Sequence, residues 1–200
     1  MESDNEFKKE KGCIGLAVIN ILVFAYMLII GVAGDGEYMS THGAIYPPFM
    51  LEKNMWYPLF TAMFMHFDVR HLANNMIMLV AVGSYVERNM GTIRFLVLYL
   101  LAGLAGNILS FVNDIYGHLY TVSAGASGAV FGLVGALFAL ALKNRGNIEG
   151  LGARRILIMI IISLLIGFTS AGVDNVAHVG GLIAGFLLGF LLLVHRKPVS

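Results

Sequence analysis

Two hundred residues that are 58% hydrophobic and 12% charged, with 24 glycines, exclude an ordinary soluble domain, whose apolar share is roughly 45–50%. The formal net charge is +1, and the lysines and arginines fall in small groups between apolar runs, so no nucleic-acid partner is implied and the lipid bilayer is the expected solvent. The single cysteine, Cys13, excludes an internal disulfide and reads as a small hydrophobe.

A spanning helix needs roughly 20 mostly apolar residues, and runs near that length stand at 13–33, 71–88, 92–112, 127–143, 154–172 and 175–194. The expected fold is therefore all-α, a polytopic bundle of six transmembrane helices over 13–197 behind a short N-terminal tail, 1–12. Lys8, Lys9 and Lys11 precede the first run and no small-residue cleavage pattern closes it, so it reads as a true helix and not a cleaved signal. The long connection 34–70 carries Tyr46, Pro47, Pro48, Phe49, Trp56, Tyr57 and Pro58, a composition suited to the membrane interface.

Orientation follows from the cations. With the N-terminus inside, Lys8, Lys9, Lys11, Arg88, Arg94, Lys143, Arg145, Arg154, Arg155, Arg196 and Lys197 fall on the cytoplasmic side, and only Lys53 and Arg70 outside. This positive-inside bias puts both termini in the cytoplasm.

The fourth run is short. From Ser127 to Lys143 a helix rises about 25 Å, against a hydrocarbon core of about 30 Å. It must start below the outer surface, and the preceding 119–126 must enter the membrane zone in irregular form. Such backbone is tolerated where protein buries it or where it lines a wet cavity.

Polar groups inside a membrane are costly and so mark function. Ser127 sits in Gly125-Ala126-Ser127-Gly128, where small neighbours allow a sharp turn and a new helix offers free N–H groups. His178 begins the sixth run, with Gly181 and Gly185 on its own helical face. The fourth run has a matching stripe, Gly128, Gly132 and Ala136, and two such stripes let helices approach closely. Packing them together is expected to bring His178 to Ser127, the pairing that activates a serine hydroxyl.

At the start of the second run, His71 and Asn75 are four apart and share a face, so both can offer N–H donors to a developing oxyanion. His66 precedes them in the loop, where it braces that loop or the oxyanion site. Asp174, one turn before His178, either orients the imidazole or occupies the helix N-terminus at the membrane surface. Lys143 is about 24 Å along the helix from Ser127, too far to serve as its base. The histidines lack the spacing of a zinc helix, so no metal and no cofactor is implied.

Together these residues resemble the rhomboid family of intramembrane serine proteases over about 50–197. The family's His-x4-His-x3-Asn pattern falls on His66, His71 and Asn75; its Gly-x-Ser-Gly motif on Gly125, Ser127 and Gly128; its Ala-His-x2-Gly-x3-Gly motif on Ala177, His178, Gly181 and Gly185. The resemblance implies Ser127 as nucleophile, His178 as general base and acid, and His71, Asn75 and the Ser127 N–H as oxyanion hole. It also implies single-span membrane proteins as substrates, cut near their outer ends, and a multi-pass place in the cell membrane. The family's Glu before the second cytoplasmic turn has a counterpart in Glu87. Two departures stand out: Trp56-Tyr57-Pro58 lacks the arginine of the usual Trp-Arg pair, and Phe131 stands where some members have a tyrosine. Stacking on the base histidine is expected to survive that change.

Two other classes compete. A rhomboid-like protein that binds membrane helices without cutting them needs no Ser127–His178 pair. A transporter needs polar residues along the whole fourth run, whose inner half, 136–142, is dry.

Overall fold

The structure is a computed structural model, and it describes residues 10–144, 146–148 and 150–192. Most of the expected 1–12 tail, the end of the expected membrane domain and five of the cations used for orientation (Lys8, Lys9, Arg145, Arg196 and Lys197) lie outside the described residues.

Among the described residues the regular structure is helical apart from one hairpin of two-residue strands. In order come α1 (Lys11–Ile29), α2 (Gly36–His42), α3 (Pro47–Lys53), α4 (Pro58–Thr61), a 3-10 turn (Ala62–Phe64), α5 (Val69–Met90), α6 (Thr92–Gly117), α7 (Ser127–Lys143), β1 (Asn147–Ile148), β2 (Leu151–Gly152), α8 (Ala153–Thr169) and α9 (Asn175–Leu192). Among the described residues, three helices are long and apolar enough to cross a membrane: α1, α6 and α9. The other three expected spans fall short of that test for visible reasons. At 17 residues each, α7 and α8 are short, and α8 opens on Arg154 and Arg155. The 22 residues of α5 include Arg70, His71, Asn74 and Asn75 in the first two turns.

Helix α7 lies at the centre. It begins at Ser127, as the short fourth run required, and 12 of its 17 residues are buried. Its main partner is α9, then α6. The two stripes meet as the spacing predicted: a Cβ on Gly181 would collide with the Gly128 carbonyl, and one on Gly185 with that of Gly132. Helix α6 joins the same seam through small residues, since a Cβ on Gly132 would strike Ala102 and one on Gly106 would sit 2.5 Å from the Ala177 carbonyl. Without a hydrophobic drive between helices in lipid, this close backbone approach supplies the packing energy.

Glu87, 1% exposed, holds α1 to the far end of α5. Its carboxylate accepts the N–H groups of Gly12 (2.8 Å) and Cys13 (2.7 Å) and the Thr92 hydroxyl (2.6 Å). A carboxylate against free N–H groups at a helix start satisfies donors that have no partner in the helix itself.

The long connection 34–70 is tied down without a Trp-Arg pair. Trp56 packs edge-on to Phe111 of α6 at 5.8 Å and donates its indole N–H to Asn54. Asn107 donates to the Leu59 carbonyl at 2.8 Å. Ile45 and Ser123 exchange backbone hydrogen bonds of 2.8 and 2.9 Å, so the loop pairs with the irregular segment that leads to Ser127.

Candidate active site

A cavity of about 1410 Å3 opens among α5, the end of α6, the segment 119–125, α7, α8 and the start of α9. Of the residues singled out from the sequence, His71, Asn75, Gly125, Ser127, Gly128, Phe131 and His178 all line it. His66, Gly181 and Gly185 do not: the first is fully buried behind the wall, and the glycines form the α7–α9 seam.

Ser127 is the first residue of α7, whose N-cap Ala126 offers no side-chain acceptor. The first helical bond runs from Val130 N–H to the Ala126 carbonyl at 2.9 Å. The N–H groups of Ser127, Gly128 and Ala129 have no acceptor among the described residues, leaving a set of oriented donors at the cavity wall.

Gly125, two residues earlier, holds φ at +138°, a conformation that L side chains rarely adopt. Its N–H donates to the Ala62 carbonyl at 2.9 Å. A Cβ there would lie 2.8 Å from His71 Nε2 and 3.8 Å from Ser127 Oγ. The histidine ring and the serine hydroxyl thus both border the space that a side chain at position 125 would occupy.

Asp68 starts α5 and accepts the His71 N–H at 2.8 Å. Asn75 follows one turn on and donates one Nδ2 hydrogen to the His71 carbonyl at 3.0 Å, so a single amide hydrogen remains for anything in the cavity. His71 is held between Phe67, stacked at 6.1 Å, and His66, edge-on at 5.0 Å. His66 Nε2 receives the Ala126 N–H at 3.5 Å, so it reaches from the loop before α5 to the turn before α7. Burial pushes its pKa from 6.5 down to about 3, with neighbouring His71 adding to the effect, and the ring is neutral.

His178, 8% exposed, lies flat against Phe131, with ring centroids 4.2 Å apart and planes 16° off parallel. The stacking expected of phenylalanine at this position is present. Among the described residues no hydrogen bond joins His178 to Ser127, and His178 Nδ1 has no partner. The carboxylate of Asp174 bonds to the Ala177 N–H and to Ser110 and Ser123, not to the imidazole. Of its two expected places, the helix N-terminus is the one observed. Ser110 and Ser123 carried no signal in the sequence, because small hydroxyl residues in apolar runs are ordinary packing.

Such a bundle, with membrane-length apolar helices and a polar cavity cut into it, defines a multi-pass membrane protein. Residues 53–195 match the family model described as a Rhomboid domain, and the chain belongs to the rhomboid family. It is 40% identical over 168 residues to rhomboid protease GluP of Bacillus subtilis, covering 84% of this chain and 32% of that protein. It is 37% identical over 151 residues to RHOMBOID-like protein 7 of Arabidopsis thaliana, covering 74% of this chain and 46% of that one. RHOMBOID-like protein 2 of the same plant is 38% identical over 152 residues, again covering 74% of this chain and 46% of the relative. The chain therefore spans about a third to a half of these relatives.

Proposed function

We propose that this chain is an intramembrane serine endopeptidase that cuts transmembrane segments of membrane proteins near the outer leaflet through a Ser127–His178 dyad. The observation that supports it most is the convergence on one cavity of Ser127 at a helix start with free N–H groups, His178 stacked on Phe131, and His71 and Asn75 opposite. In this reading six helices span the cell membrane and both termini are cytoplasmic.

The chemistry follows from the groups present. His178 takes the proton of Ser127 Oγ, and the alkoxide attacks the carbonyl carbon of the scissile peptide. The oxyanion is held by His71, the free Asn75 hydrogen and the Ser127 N–H. Collapse expels the amine, which takes its proton from His178, and water admitted by the cavity resolves the acyl-enzyme. A substrate helix must unwind first, because an intact helix hides its carbonyls.

The missing Ser127–His178 hydrogen bond favours a second reading, a rhomboid-like protein that binds membrane helices without cutting them. Catalytic hydrogen bonds are often long until substrate is bound, so proteolysis is the stronger proposal. The test is cleavage of a tagged single-span protein with helix-breaking residues near its outer end, co-reconstituted in liposomes. Ser127-dependent cleavage at one bond near that end is expected. An intact substrate that co-purifies with the chain would replace the proposal with the second reading.

A further inference from the structure

Asp174 is the last residue before α9, and its carboxylate joins three separate parts of the fold. One oxygen accepts the Ala177 N–H at 2.9 Å, at the start of the helix that carries His178. The other accepts the hydroxyls of Ser110 on α6 at 2.5 Å and Ser123 at 2.6 Å. Ser123 stands four residues before Ser127, and its backbone is the point where the irregular segment pairs with Ile45. One charged group thus ties the strand of chain that delivers the serine to the helix turn that delivers the histidine, with α6 as common anchor. Ionised acceptors make shorter and stronger hydrogen bonds than neutral ones, which suits a clamp between otherwise independent segments.

The same carboxylate lies one helical turn from His178, whose backbone N–H donates to the Asp174 carbonyl at 3.2 Å. The other titratable groups lining the cavity are Asp68, Arg70 and His71 at the start of α5 and Asp114 on α6; α7 and α8 contribute none. Asp174 is therefore the anion at the cavity that directly precedes the histidine's own helix, and an anion near an imidazole favours its protonated form.

We propose that Asp174 is a positioning residue for the Ser127–His178 pair: through Ser123 and the start of α9 it sets the serine against the histidine, and its charge stabilises the imidazolium formed when the ring takes the serine proton. This rests on the serine–histidine reading above. It differs from a triad, because the carboxylate does not touch the ring.

The test follows the rate of labelling by a fluorescent fluorophosphonate from pH 3 to 9 in detergent-solubilised wild type, Ser127→Ala, Asp174→Asn and Ser123→Ala. A neutral His178 is needed as base, so labelling falls as pH drops through its pKa. Removing the neighbouring anion moves that acid limb to lower pH. Asp174→Asn is expected to label about tenfold more slowly at its plateau, with the limb displaced downward by about half a pH unit. Ser123→Ala keeps the charge and loses one tie, so it is expected to slow labelling with the limb unmoved. A purely structural role would lower the rate without displacing the limb in Asp174→Asn, and that result overturns the proposal, as does a wild-type rate and profile. Wild type that labels no faster than Ser127→Ala would overturn the underlying dyad, and this inference with it. Amide exchange across 121–125 on the same samples is expected to quicken in Asp174→Asn; unchanged exchange there would also contradict the tie.

Discussion

Phe131 and His178 lie face to face with ring centroids 4.2 Å apart, and Phe131 is one helical turn beyond Ser127. The helix that presents the serine therefore also supplies the surface on which the imidazole rests. A stacked aromatic pair contributes about 0.5–1.5 kcal/mol beyond its buried area, and about 1.4 kcal/mol is a tenfold rate. Phe131→Leu is expected to lower the fluorophosphonate labelling rate up to about tenfold, while Phe131→Tyr, which keeps the ring, stays within about twofold of wild type. Stopped-time labelling of the three proteins at one pH is the measurement.

The α7–α9 seam predicts a sharp contrast between glycines. Gly181→Ala places a Cβ against the Gly128 carbonyl, a backbone atom that cannot move aside, and overpacking of this kind costs about 1–3 kcal/mol. Gly15→Ala on α1 meets nothing within 4 Å and serves as control. Thermal unfolding in detergent is expected to fall by several degrees for Gly181→Ala and to stay at the wild-type value for Gly15→Ala.

That seam was legible from spacing alone, as were the short helix starting at Ser127 and the irregular approach to it, whereas the stacking of Phe131 was expected only through the family resemblance. The first three are local consequences of residue size or of a count along one helix. What spacing could not show depends on contacts between distant segments. The hydrogen bonds of Ser123 to Ile45 and to Asp174 join residues 51 to 78 positions apart. The short helices inside the connection 34–70 start on local signals, an Asp35 cap for α2 and prolines for α3 and α4, not on any apolar period. The expected first span, 13–33, ends early at Ile29, where Gly31 and Gly34 turn the chain with positive φ.

Glu87 predicts a stability effect separate from the cavity. Glu87→Gln keeps the shape but removes the charge from three hydrogen bonds, and hydrogen bonds to charged groups contribute about 1.5–3 kcal/mol each. The variant is expected to unfold several degrees lower in detergent while its labelling rate per folded molecule stays near that of wild type. Differential scanning fluorimetry alongside labelling checks both.

His66 predicts a pH dependence of stability. Its folded pKa of about 3 lies below its ordinary 6.5, so between those values the unfolded chain binds a proton that the folded chain refuses. Stability therefore falls as pH is lowered from about 6.5 towards 3 and is insensitive to this group above that window. His66→Gln has no such proton to bind. Unfolding midpoints at pH 7 and pH 4.5 are expected to differ less in His66→Gln than in wild type.

The most direct test of the central claim is covalent labelling of the folded, purified chain by a fluorophosphonate, with the modified peptide identified by mass spectrometry. The account predicts one adduct, on Ser127, lost in both Ser127→Ala and His178→Ala while each variant keeps the helical content of wild type. A folded wild type that takes no label, or an adduct that persists in Ser127→Ala, would contradict it.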